Sequence, residues 1–593
     1  MALRFTNMPA EKLPLPPPGV HPREVIANTI LREYLGKKSG PNGGHLAILV
    51  DKWRDDSGVT DSGPYTGKVR IVGAGAAGLY IAMTLNFLGI DFDIVEASDN
   101  VGGRCATKSF KDVGPDCAHN YYDMGATRIP NIDSMNSTLN LIRNPFLLNI
   151  KNKLVDYVYR VYTVDSEGVT TYYEPFCYWY QNEAKFNADK YEAAIGDVLA
   201  LFQQPIDKTN PLVQPYFTGG NDKYSTRDYL MMGPMKLPIQ NLTYAETKAG
   251  ELADSYNFND FIAASKKNWF RVEGGMSVVT DTMAACVKST EWPPKTGGPS
   301  IDVTLSTPVL AMSLTPDGES IQVTTGGKAL STNSYDMVFN TTALGPLQHM
   351  DLSGLHLGRD ILDGIRVLSY DRATKVAVKF NTRCDLPLGY TVYRSWDDGD
   401  GTNVLIVSYT WAQDAARMAA LVPDYTNPST PAPKFTDPIA ALCLEGLVKL
   451  WQGKKGAPTL SELQGYYATH HAWAWSHDPY TCGAFALFGP GQFENVWPPL
   501  KLLHADSRLA ICGEASSVYH AGISGALDSA YFAVTTFLAE RATKFPDMID
   551  KAKKLVDSAF NLGPKPFENG GRILHPERDD VLARWCAPVS AMK

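Results

Sequence analysis

The chain has 593 residues, 44% of them hydrophobic and 20% charged, and carries a formal net charge of −8. Its length buries a large core and predicts two or three structural domains. The absence of a basic excess argues against a nucleic-acid binder, which has phosphates to neutralise.

In chain order, residues 1–67 read as an N-terminal arm. Its opening, "MALRFTNMPAEKLPLPPPGV", is Pro-rich and has no apolar core after the basic start, so no signal peptide is expected. An amphipathic helix at "HPREVIANTILREYLG" and a polar run to "SGPYTG" complete the arm. The stretch "KVRIVGAGAAGLYIAMTLNFLGIDFDIVEASDN" then reads as strand, Gly turn, helix and strand, with the first strand at Lys68 to Val72 and the helix at Ala76 to Leu88. Residues 141–265 read as a largely helical insertion, with patches such as "DKYEAAIGDVLALFQQ" and "YAETKAGELADSYNFNDFIAAS". From 266 to 345 the chain turns strand-rich, at "DVTLSTPVLAMSLTPD", "SIQVTTGG" and "YDMVFNTTA". Strands follow at "ATKVAVKF" and "NVLIVSYTW". The last ordered unit is "LAICGEASSVYHAGISGALDSAYFAVTTFLAERA", a strand, a Gly-Glu turn and a long helix, and 546–593 read as a C-terminal tail.

No apolar run approaches the roughly 20 residues that span a bilayer. The nine cysteines are never spaced C-x-x-C and read as reduced, buried thiols rather than a zinc site or disulfide framework. The expectation is a soluble intracellular, cytoplasmic protein with neither membrane nor nucleic acid as partner. Asn136, Asn241 and Asn340 lie in N-x-S/T triplets, which carry no weight without a secretory route.

The chemistry starts at Gly73, Gly75 and Gly78, a G-x-G-x-x-G set between strand and helix. The first glycine permits the tight turn, the second the approach of a pyrophosphate and the third close helix–strand packing. The helix start at Ala76 and Ala77 faces the phosphate charge. Glu96 and Ala97 end the next strand, where a carboxylate accepts from ribose hydroxyls, and Gly103-Arg104 follow, with an arginine in reach of the second phosphate. Near the C-terminus, Gly513 and Glu514 form a second strand-to-helix turn.

These motifs, in this order, resemble the FAD-dependent amine oxidase family, in the branch that contains L-amino acid oxidases. "EGGMSVVTDTMA", "YDMVFNTTALGPL", "SYDRATKVAVKF" and "WAWSHDPYTCGAFA" match in register, and the resemblance runs from about 68 to 545. It implies an α/β fold: a Rossmann-type FAD-binding domain assembled from the discontinuous segments 68–130, 266–345 and 505–545, a mixed-sheet substrate-binding domain from 131–140 and 346–504, and the helical insertion. It further implies that Glu96 binds the adenosine ribose, Arg104 the pyrophosphate, the Val309 backbone the adenine, and Glu514 with Gly522 and Ile523 the ribityl end. Residues Gly125, Ala126, Thr127 and Arg128 return the chain to the flavin. No cysteine stands where some relatives attach flavin covalently, so the FAD is expected to be non-covalent.

Arg128, in "GATRIP", matches an arginine of the amino acid oxidases. Its planar fork grips a carboxylate through two parallel charge-assisted hydrogen bonds, which a plain amine would not need. The other reading pairs Arg128 with a protein carboxylate or leaves it exposed. The resemblance places Tyr393 beside the same carboxylate, with Tyr390 as competitor. Lys375 shares a strand face with Ala373, Ala377 and Lys379, opposite Val376 and Val378. The resemblance gives Lys375 a water near flavin N5 and a role in the reaction with oxygen, while Lys379 reads as a solvated strand end. Trp475 is expected to wall the substrate pocket. Where many relatives read Gly-Trp, this chain has Ala521-Gly522, so the pocket is wider or another side chain fills it. His470, His471 and His520 are not spaced as metal ligands and read as packing or capping residues.

The implied reaction is oxidative deamination of L-amino acids to 2-oxo acids with release of ammonia and hydrogen peroxide. Hydride passes from Cα to flavin N5, and O2 is the final oxidant. The alternatives are an amine or polyamine oxidase without carboxylate recognition, a catalytically silent flavin-binding scaffold, and oxidative decarboxylation to an amide. The resemblance also favours a homodimer or higher homo-oligomer.

Overall fold

The computed structural model describes residues 63–157 apart from 112, 114–118, 133–134, 145–146 and 148–149, then 161–164, 170–173, 269–289, 301–381, 403–425, 429–451, 457–556 and 558. Tyr390, Tyr393, the arm before 63, the tail after 558 and the helical patches of the insertion lie outside the described residues.

The principal sheet has five strands drawn from distant parts of the chain. Strand β1 (Val69–Val72) lies between β2 (Phe92–Val95) and β3 (Met337–Asn340), all parallel. Leu509–Ile511 adds a further parallel strand beyond β3, and Leu503–His504 closes that edge antiparallel. Parallel strands need a crossover, which here is helix α1 (Ala76–Leu88) between β1 and β2. Nearly every residue of α1 is buried, because it packs on the sheet while α2 (Ser277–Lys288) and α3 (Ile523–Ala542) cover it from outside. A helix enclosed on all sides has no need of a polar stripe. On the opposite face, Val72, Val95 and Val338 join Val309, Met312, Ile321 and Val323 in one core cluster.

A second, antiparallel sheet has β4 (Ala373–Phe380) at its centre, flanked by β5 (Val404–Trp411) and β6 (Tyr467–Ala474). Every residue of β4 is buried. Val376 and Val378 point to helix Pro438–Trp451, meeting Ile439, Cys443, Leu444 and Leu447. Ala377, on the other face, meets Phe110 and Tyr122. The alternation expected for this strand is therefore present, with one correction. Lys379 is not solvated: it is fully buried, and its Nζ donates to Phe110 O at 3.0 Å.

One more expectation needs correcting, at the C-terminal end. The described start of the 141–265 insertion contains strands Leu154–Tyr157, Val161–Val164 and Thr170–Tyr173. The first of these pairs with Trp269–Val272, which pairs in turn with Ile129–Pro130. Beyond 545, helix Asp547–Val556 continues the ordered fold. Its Met548, Ala552 and Leu555 recur at one-face spacing and enter the principal core. Among the described residues no helix is long and apolar enough to cross a membrane. Cys105, Cys443 and Cys512 are buried free thiols, as expected.

Candidate active site

The first part of the site grows from the end of β1. Gly73 follows with φ of 99°, in the left-handed region that suits glycine. A Cβ on Gly78 would lie 1.9 Å from Gly73 O, so α1 reaches β1 only without one. Gly75 is different, because a Cβ there would meet Gly102 O alone, at 4.0 Å. Protein packing does not require a glycine at 75, and the space in front of it is open. Helix α1 starts there with no side-chain cap and no acid in its first turn, Ala76 and Ala77 leading. An open approach to an uncapped helix start suits a pyrophosphate.

The flanking acid and the second glycine turn close around this point. Glu96 accepts from Ala74 N at 2.7 Å and Ser98 N at 2.9 Å, so its carboxylate, next to Ala97, is anchored to the glycine turn. Gly102 N donates to Ala74 O at 2.9 Å, and a Cβ on Gly103 would lie 3.7 Å from Gly75 Cα. Thr307 N donates to Glu96 O at 2.8 Å, which brings the start of the Val309 strand beside the acid. These residues fit the dinucleotide half of FAD.

Arg104 and Glu514 behave as a pair. Arg104 Nη1 donates to Glu514 Oε2 at 2.9 Å and to Ala484 O at 3.2 Å. Glu514 Oε1 accepts from Ala486 N and Ala521 N, both at 2.9 Å. Burial works to lower the Arg104 pKa, but the Glu514 carboxylate prevails and holds it above its ordinary value. Glu514 is thus a hub joining the Gly513 turn, the Ala521 loop and the Arg104 turn. We expect Glu514→Gln, which keeps an amide-sized acceptor but loses the charge, to cost about 1.5–3 kcal/mol in urea unfolding.

The second part lies on one face of the antiparallel sheet. Lys375 pairs with Tyr409 on one side and Trp473 on the other, so the three share a face. Ala373 and Ala377 flank Lys375 on that face, both buried. Trp411 stands edge-on to Tyr409 and to Phe485, and Trp473 edge-on to Trp475. Over this face runs the segment 123–128. Lys375 Nζ donates to Asp123 O at 3.0 Å, Gly125 O at 2.7 Å and Thr127 Oγ1 at 2.8 Å. Trp475 Nε1 donates to Met124 O at 3.0 Å. A Cβ on Gly125 would lie 1.8 Å from Arg104 O and 3.1 Å from the Trp475 ring, so glycine is the residue that fits this approach.

Arg128 follows directly. The pairing of Ile129–Pro130 with the 269–272 strand sets its guanidinium over Trp269 at 5.2 Å and Tyr157 at 5.9 Å. Burial raises the Tyr157 hydroxyl pKa, and Arg128 draws it back down. Burial pushes the Lys375 pKa down; Asp123 pulls it up, and the Arg128 charge adds to the lowering.

The pattern of the flavin-containing amine oxidoreductases matches residues 76–536. The chain belongs to that family. An L-amino-acid oxidase of Hebeloma cylindrosporum is 27% identical over 88% of this chain and 89% of its own length. One from Siganus canaliculatus is 26% identical over 79% of this chain and 84% of its own. A Dictyostelium discoideum protein, provisionally named a bifunctional amine oxidase, is 30% identical over 79% of this chain, which spans only 46% of that relative's length.

Membership of this amine oxidoreductase family implies flavin, and the glycine turn is open at Gly75. The oxidoreductase's expected pocket residues are brought together only in part. Ala521 takes a positive φ of 60° and Gly522 leads into α3. The place next to Gly522 is filled: a Cβ there would lie 3.0 Å from Met135 Cε. Met135, buried and flexible, was not singled out in the sequence. Asp123 was also missed. It is buried, its Oδ1 accepting from Thr107 Oγ1 at 2.6 Å and Met276 N at 2.8 Å. The histidines pack. His471 bonds the Tyr122 hydroxyl through Nδ1 at 2.7 Å and stacks on Tyr425, and burial pushes its pKa down to about 3.

Proposed function

We propose that this amine oxidoreductase oxidises L-amino acids, using non-covalent FAD in a Rossmann-type domain assembled from separated segments. The carrying observation is Arg128, a guanidinium on an aromatic bed, next in the chain to the Thr127 that Lys375 bonds and close behind the Met124 carbonyl that Trp475 bonds. The names of the fungal and fish relatives agree with this reading.

The glycine turn and the start of α1 would hold the pyrophosphate, Glu96 the ribose and the Val309 strand the adenine. When bound, FAD supplies the two-electron acceptor. Arg128 receives the substrate carboxylate through two parallel N–H donors, and Tyr393 is proposed as a further donor. Trp475 walls the pocket, and Met135 takes up the space beside Gly522. Fixing the carboxylate aims Cα–H, so orientation supplies much of the rate. An amine that enters neutral requires no side-chain base. The overall change converts amino acid, O2 and water into 2-oxo acid, ammonium and hydrogen peroxide.

The test is anaerobic mixing with L-phenylalanine and, separately, 2-phenylethylamine, following flavin absorbance. The two differ by the carboxylate alone. Bleaching by the amino acid only is the expected result; bleaching by the amine only would overturn carboxylate recognition.

A further inference from the structure

Residues 124–128 have neither helix nor strand structure, yet they lie between two short strands and carry Arg128 to its place. Their acceptors are engaged from the sheet beneath. Met124 O takes the Trp475 indole, and the Asp123 and Gly125 carbonyls take Lys375. The Thr127 hydroxyl donates to Gly125 O at 3.0 Å, which leaves its oxygen to accept from Lys375.

Nζ is thus held by three groups at once, at 3% exposure. An ammonium gives each of them a proton; a neutral amine gives two to the carbonyls and takes the Thr127 hydroxyl on its lone pair, so the contacts are made in either state. Burial pushes the Lys375 pKa down, and Asp123 works the other way. The Tyr409 ring lies under Nζ at 4.7 Å and favours the charged form.

We propose that Lys375, bonded to two backbone carbonyls and the Thr127 hydroxyl, is a positioning residue that clasps the 123–127 segment to the sheet and thereby fixes where Arg128 presents its guanidinium. This deepens the amino acid oxidase reading and rests on it for the substrate. It is a second task beside the one the resemblance gives this lysine, holding a water at flavin N5, and the contacts of Nζ with the protein carry it.

The test uses the flavin-bound protein with Lys375→Met, and Thr127→Val as a second variant that removes one of the three contacts and leaves Lys375 in place. Hydrogen exchange of peptides covering 121–131 is expected to quicken by about tenfold or more in Lys375→Met and less in Thr127→Val. The Kd of benzoate, a carboxylate probe read from the flavin spectrum, is expected to rise by about tenfold or more. Wild-type exchange and wild-type benzoate affinity, with reoxidation of dithionite-reduced flavin by O2 slowed about 100-fold, would overturn the clasp in favour of the oxygen role. If Lys375→Met does not retain flavin, unchanged exchange in Thr127→Val would overturn it equally. Benzoate failing to bind even the wild type would count against the amino acid reading, while the exchange rates still decide the clasp.

Discussion

Replacing Arg128 with Met is expected to lower kcat/KM for L-phenylalanine by roughly 10²–10³-fold while leaving 2-phenylethylamine no worse a substrate. Truncating one side of a desolvated charge pair costs about 2–5 kcal/mol, and each 1.4 kcal/mol is a factor of about ten. The Trp269 and Tyr157 rings that carry the guanidinium would lie against the methionine, so packing is largely kept. Arg128→Lys sharpens the test. It keeps the charge but loses the fork, and should recover only part of the loss. Equal losses on both substrates would return Arg128 to a structural role, whichever substrate the enzyme prefers.

Two alanine substitutions in the glycine turn are expected to part company. At Gly78 the new Cβ would lie 1.9 Å from a backbone carbonyl that cannot turn aside, so β1 and α1 must separate. Overpacking of that kind costs about 3 kcal/mol or more, and flavin should be lost together with stability. At Gly75 the backbone is already in an ordinary extended conformation, and the Cβ has open space. Gly75→Ala should therefore keep apo-protein stability to within about 1 kcal/mol, as for a modest change of helix cap, while flavin affinity falls about tenfold or more. Urea unfolding of the apo-protein and flavin titration separate the two effects. Loss of apo stability at Gly75 would mean that the open space has no bearing on cofactor approach.

Local chemistry was the legible part of the sequence. The glycine turn, the helix from Ala76 to Leu88 and the alternation of β4 depend on neighbours a few residues apart, and all are found where expected. What depended on remote partners was not legible. Lys379 read as solvated because nothing near it in the chain announces Phe110 O, 269 residues away. Asp123 looked unremarkable because its amide donor, Met276, is 153 residues distant. The partner of Arg104 could not be read from a motif that ends at Gly103-Arg104, since Glu514 is 410 residues on. The helix from Asp547 was missed for a different reason: its buried face of Met548, Ala552 and Leu555 is short and lies among charges.

The assembly of the principal sheet bears on how the chain comes off the ribosome. Strand β1 is completed early, but its neighbour β3 begins at Met337 and the strand beyond that at Leu509, which is 509 − 69 = 440 residues after Val69. At synthesis rates of about 5–20 residues per second, that outer pairing waits roughly 20–90 s. During the first part of that wait, the side of β1 that will meet β3 has no native strand to pair with and can recruit another chain. The β1–α1–β2 unit would then be the nascent chain's first aggregation-prone element, and holding it apart from other chains until residue 340 has emerged would be a task for a chaperone rather than for the fold.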